Sequence, residues 1–260
     1  MKPGLLDVVP FHVVAAIIFL LLILFNWLGY KLRRYLEEKK PEAIDEQQTI
    51  TNSLLGLMAL LLAFSFSLAA SKFDNRKKLI IEESNDIGTA VLRAELFPDS
   101  TAHLLKSQFK SYIQYRVDYY NAGTDANTIK AALDSSQLAI NKIWKLLMQS
   151  SKDKEQFLAC QLMIPAVNDV MDIVTTRENA RTSKVPPLIL WMLLLLSLTS
   201  AFITGYNGKE KKRNHIMVIG FALMTSLTLY LVMELDHPRK GIINLDAAEQ
   251  NISSILESLK

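Results

Sequence analysis

The stretch LLGLMALLLAFSFSLAASKFDNRKKLIIEESNDIGTAVLRAEL, residues 54–96, decides the fold. Residues 54–71 are apolar enough for a lipid bilayer. The run that follows is charged and amphipathic, and no proline separates the two. Together they read as one long helix. It leaves the membrane at about Lys72 and becomes the first helix of a water-facing domain.

Working outward, three more blocks match the first half of that stretch. Residues 8–30, 47–71, 186–207 and 214–233 carry no Lys, Arg, Asp or Glu. A bilayer core of about 30 Å needs about 20 helical residues, so each block can span. The bulk numbers agree: 50% hydrophobic residues beside 21% charged ones, with mean hydropathy +0.18. Apolar and polar segments are therefore segregated. A net charge of +3 is too balanced to argue for a nucleic-acid partner, and the single cysteine excludes an internal disulfide. The predicted class is an all-α membrane protein. Spans are expected at residues 8–30, 50–71, 187–206 and 215–234, with a helical-bundle insert at 72–185 and a turn plus short amphipathic helix at 235–260. The first block is a retained span rather than a signal peptide. Its apolar run is too long, and Lys31, Arg33 and Arg34 stand where a cleavage site would be.

Charge bears on orientation. The two short loops, residues 31–48 and 207–214, must share a side, and they hold nine Lys and Arg. The positive-inside rule puts them in the cytoplasm and the insert outside. Lys72, Arg76, Lys77, Lys78, Arg177, Arg181 and Lys184 flank the insert and pull the other way.

The insert carries 16 Lys/Arg and 14 Asp/Glu. It shows four helical patterns. Ile80, Ile87, Val91 and Ala94 share the first face, which Pro98 ends. Leu105, Phe109, Tyr112 and Tyr119 form the second, from an N-cap at Ser100 to a stop at Gly123. Ile129, Leu133, Ile140, Ile143 and Leu147 form the third. Phe157, Cys160, Ile164, Val167, Met171 and Val174 form the fourth, a narrow seam in steps of three and four. Four seams needing partners predict a four-helix bundle. Its first and fourth helices would run on into the second and third spans, with Pro186 and Pro187 as the restart.

Chemistry is sparse. There is no phosphate loop, no HExxH and no CxxC, and His12, His103, His215 and His237 lack metal-ligand spacing. No catalytic constellation, metal site or cofactor is expected. Cys160 reads as a packing residue. Glu82, Glu83 and Asp86 read as surface ion-pair partners of Arg76, Lys77 and Lys78, with a cation site as the rival. The spans hold no charge at mid-depth, which argues against a proton relay. Leu57, Leu61, Phe64 and Leu68 form one stripe on the second span. It either packs against neighbouring spans and lipid or lines a pore that excludes charge by dewetting.

Three stretches carry a family resemblance. MALLLAFSFSLAASKFDNRKKLIIEESNDIGTAVLRAELFP (residues 58–98), LILWMLLLLSLTSAFITGYNG (188–208) and ELDHPRKGIINLD (234–246) resemble, in order and spacing, the bacterial bestrophin-like membrane proteins. The relation to bestrophins themselves is more distant. Those are pentameric anion channels whose second span lines the pore through an apolar neck. The resemblance implies a bacterial inner-membrane homo-oligomer with a small ion as cargo. It marks Phe73, Arg76, Glu83, Arg93, Asp236, Pro238, Arg239 and Gly241 as motif residues, and Phe64 and Phe66 as neck candidates. Those two phenylalanines lie about 200° apart on a helix, so both cannot face one axis. The bestrophin insert is cytosolic, against the charge pattern.

The tail, with Ile252, Ile255, Leu256 and Leu259 on one stripe, is expected to pack on the bundle. The Asp236–Arg239 turn reads as a hinge. Two functions stay open. One is an oligomeric channel; the other is a non-conducting sensor or scaffold whose bundle binds a partner.

Overall fold

The computed structural model describes residues 9–39, 48–208 and 215–259. The expectations for Val8, Pro41, Lys209, Lys211, Lys212 and Arg213 lie outside those residues. The described secondary structure is helical throughout. We number the helices α1 (Phe11–Lys39), α2 (Gln48–Arg93), α3 (Asp99–Asn121), α4 (Ala126–Ser150), α5 (Phe157–Thr182), α6 (Pro187–Tyr206), α7 (His215–Asp236) and α8 (Asp246–Ser258). A 3₁₀ turn, Ala94–Leu96, follows α2.

Local chemistry explains most boundaries. α2 is one unbroken helix of 46 residues, because nothing in it interrupts the backbone ladder. It ends where Phe97 turns extended ahead of Pro98, the conformation a following proline imposes. α3 starts at Asp99 with Pro98 before it and no side-chain cap, so Ser100 is not the cap the sequence suggested. Asp125 caps α4 by accepting from the Thr128 backbone N–H at 2.9 Å. Gly123, at φ 57°, makes the left-handed turn between α3 and α4. α1 does not stop at residue 30. It runs through the basic cluster to Lys39, and Arg33 there donates to the Tyr206 carbonyl at 3.1 Å and pairs with Glu37 at 2.6 Å. Between α5 and α6 the chain leaves the helix over residues 183–186, and Pro187 restarts it at a first-turn position that needs no N–H.

The chain divides into two compact units, Met1–Lys72 with Lys184–His237, and Phe73–Ser183 with Pro238–Lys260. The first unit holds α1, the apolar part of α2, α6 and α7. Four helices are long and apolar enough to cross a membrane. The first unit's core is built from Phe11, Ile18, Leu22, Met58, Leu62, Leu193, Ala201 and Leu229. α1 and α6 meet backbone to backbone. A Cβ on Gly29 would strike the Phe202 carbonyl, and one on Gly205 would strike the Asn26 carbonyl. Small residues at such crossings let membrane helices approach closely. The Asn26 side-chain amide closes the same contact, donating to the Ala201 carbonyl at 3.0 Å.

The second unit is a bundle of the charged half of α2 with α3, α4, α5 and α8. Its core takes in Ile80, Ile87, Phe109, Tyr112, Ile143, Leu147, Met163 and Val167. The tail helix joins this core through Ala248 and Ile252, with Ile255, Leu256 and Leu259 packed at its edge. The α5 face differs from the expected narrow seam. Its buried residues are Ala159, Cys160, Met163, Ala166, Val167, Val170 and Ile173, while Phe157 is exposed. A helix packed among several neighbours buries a wider arc than a two-stranded seam, which shifts the stripe by about one position.

Candidate functional site

In the first unit, the α2 stripe singled out from sequence faces away from its own protomer. Leu57 is 47% exposed, Phe64 64% and Leu68 37%, whereas Met58, Leu62, Ser65 and Ala69 on the neighbouring face are buried. Leu61, Phe64 and Leu68 line a shallow apolar groove with Ser65 of α2 and Ile189, Met192 and Leu193 of α6. Phe66 is exposed on another side of the helix. Only 22% of the apolar window of α2 is buried within the chain. That oily surface needs lipid or another subunit against it, since a contiguous patch this large is not left in water.

In the second unit, the motif residues converge on ionic contacts. Glu83 is fully buried on α2. Arg116 of α3 grips it with two nitrogens, Nε at 2.5 Å and Nη2 at 3.2 Å, in the bidentate form that suits guanidinium and carboxylate. The Tyr120 hydroxyl donates at 3.0 Å, and Arg177 of α5 reaches both Glu83 and the Tyr120 oxygen. Burial alone would push the Glu83 carboxyl up. The charges of Arg116 and Arg177 and their hydrogen bonds overcome this and hold it below the ordinary glutamate range. Burial likewise opposes the charge on Arg116, and Glu83 more than offsets that. The surface pairing expected for Glu83 is thus replaced by a buried one with residues far away in sequence. Arg76 is not its partner. Arg76 is itself buried and donates to the Ala180 carbonyl at 3.1 Å and the Ser183 carbonyl at 2.9 Å, closing the end of α5.

The remaining motif residues also secure helix ends and turns. Arg93 donates to the Leu162 carbonyl at 2.6 Å, in the turn of α5 that Pro165 disturbs. Arg239 donates to the Gly123 carbonyl at 3.2 Å and lies 4.2 Å from the Tyr119 ring, whose other neighbour is Arg116 at 4.7 Å. In the first unit the buried Asp236 carboxylate accepts the Val185 N–H, at 3.0 and 3.1 Å. That fastens the entry of α6 to the end of α7. Phe73, Pro238 and Gly241 are partly buried. Sequence reading missed Arg116 and Arg177. Arg116 carried a signal: it stands one turn after Tyr112 within the apolar stripe of α3, where a solvated arginine has no place.

Bestrophin-like domains match residues 16–249 of this chain as a family. The chain belongs to the bestrophin-like family. No curated protein matches the sequence significantly. Among solved structures it is similar to a bacterial bestrophin homologue from Klebsiella pneumoniae, with TM-score 0.70, 15% identity, and coverage of 94% of this chain and 97% of that one. An isoleucine-to-threonine variant of that homologue gives 0.74 at 14% identity, covering 94% and 99%. A glycine-to-alanine variant described as a membrane protein gives 0.73 at 16%, covering 94% and 97%. At such identities the likeness is one of fold, and it extends over almost the whole bestrophin-like chain.

Proposed function

We propose that this bestrophin-like protein is one subunit of a homo-oligomeric channel for a small anion, and that the Leu57, Leu61, Phe64 and Leu68 face of α2 lines its path. The observation that supports this reading is the outward exposure of that stripe in a helix whose apolar surface is mostly unburied. Four spans without a charge at mid-depth enclose no conduit alone, so the path is shared between copies related by rotation. A ring of leucine and phenylalanine side chains gates by dewetting. The membrane is crossed at residues 8–30, 50–71, 187–206 and 215–234. Residues 72–185 fold outside the bilayer as an insert, and residues 235–260 return to it.

The protein resides in the plasma membrane. Loop charge favours an outward insert and the bestrophin resemblance a cytosolic one. Protease access to a reporter fused after Lys260 in intact cells separates them, with full protection sinking the outward arrangement. The rival reading, a non-conducting sensor or scaffold, draws on the unbroken α2, which contributes to both units.

The deciding experiment pairs native mass with flux. A closed ring of 29.4 kDa chains that passes chloride across liposomes supports the channel, above all if Phe64→Ala alters the flux. A well-formed ring without flux favours the sensor, and a stable monomer removes the pore altogether.

A further inference from the structure

Both oxygens of Glu83 are occupied, by Arg116 Nε and Nη2, the Tyr120 hydroxyl and Arg177. Two polar atoms beside them are not. Arg116 Nη1 and the Tyr112 hydroxyl are buried without a hydrogen-bonding partner among the described residues. Both residues are 1% exposed. They stand one turn apart on the buried face of α3, near enough that the Tyr112 phenol feels the charges of Arg116, Glu83 and Arg177. Burial keeps that phenol protonated, and Glu83 keeps Arg116 charged, so both groups are donors. Donors left unmet at this depth are costly.

The charge count points the same way. Glu83 offers one negative charge against two guanidinium groups. Farther out, Arg181 is matched by Glu178. Arg239 faces Glu249, whose burial favours the neutral carboxyl. Positive charge is in excess.

We propose that the core of the bundle binds a small monovalent anion of the halide class, held by Arg116 Nη1 and the Tyr112 hydroxyl. An acceptor-only sphere satisfies both donors and cancels the excess charge. A water molecule cancels no charge, and its own protons would need acceptors that are already engaged. The site lies in the second unit, apart from the α2 stripe of the first, so it stands whether or not the protein conducts. It couples the stability of the bundle to halide concentration.

The test uses the intact protein in detergent. Crystals grown in sodium bromide and measured at the bromine absorption edge should show an anomalous peak within hydrogen-bonding distance of Arg116 Nη1 and the Tyr112 oxygen. Water there, or no peak, overturns the proposal. In solution, Tm should rise saturably when chloride or bromide replaces gluconate at constant ionic strength, by about 4 °C at ten times Kd. Tyr112→Phe keeps the ring and removes the hydroxyl. It should raise the halide concentration needed for half the effect by about tenfold. A halide response unchanged in Tyr112→Phe belongs to another site and also overturns the assignment. If that variant does not fold, the bromide map of the unaltered protein decides.

Discussion

Replacing Glu83 by Gln should be among the most damaging single changes in the bundle. The carboxylate is fully buried and anchors Arg116, Arg177 and Tyr120 at once. Gln keeps the shape and one acceptor but no charge. Arg116, 1% exposed, is then a buried cation without a counter-ion, whereas Arg177, 10% exposed along its side chain, can turn to water. Removing one partner of a buried pair costs about 3–5 kcal/mol. For a chain of this size each kcal/mol moves Tm by about 2–4 °C, so a fall of about 6–20 °C is expected.

The assay is thermal unfolding of the purified protein in one detergent. The double change Glu83→Leu with Arg116→Met should recover most of the loss seen in Glu83→Leu alone, because apolar replacements remove both buried charges. A pH series adds a check of sign. The folded-state carboxyl lies below its unfolded value of about 4.3, so its contribution is complete above that pH and is lost as pH falls through the folded value. Acidification below about pH 4 should therefore destabilise the unaltered protein more than Glu83→Gln. A Glu83→Gln protein within about 2 °C of the parent at neutral pH would refute the claim that this pair holds the bundle together.

Three further outcomes follow from the same geometry. Arg76→Ala should lower stability by about 1.5–3 kcal/mol, read by the same melt, because the Ala180 and Ser183 carbonyls lose a charged donor; Arg76→Lys should restore only part of it, having no planar fork to span two oxygens. Gly205→Ala should force α1 and α6 apart, with a cost of about 1–3 kcal/mol, since the obstacle is the Asn26 backbone rather than a movable side chain; a neutral melt would mean the crossing is looser than it looks. Asp236→Leu leaves the Val185 N–H unmet and should cost about 1–3 kcal/mol, whereas Asp236→Asn, which keeps an acceptor, should cost less; equal losses would remove that hydrogen bond as the reason.

Much of the scaffold was legible because its signals are local. A run of 18 or more apolar residues announces a membrane helix through composition alone. The stripes Ile80–Ile87–Val91–Ala94 and Leu105–Phe109–Tyr112–Tyr119 announced buried faces through period, and all eight residues are buried. The exposed α2 stripe could be listed in order but not assigned, since an apolar face reads the same whether lipid, a neighbouring span or a second subunit covers it.

The amino-acid sequence by itself determined that this chain is helical, that four of its helices are apolar enough for a bilayer, and that its family is bestrophin-like. Each depends on composition, short-range period or motif order. The tertiary structure decided what the charged motif residues do. Arg116 and Arg177 lie 33 and 94 residues from Glu83, and Arg76 lies 104 from Ala180. No local pattern relates residues so distant. Whether an arginine meets water or a buried carboxylate depends on which helix faces pack together, and that packing is settled by the whole core at once.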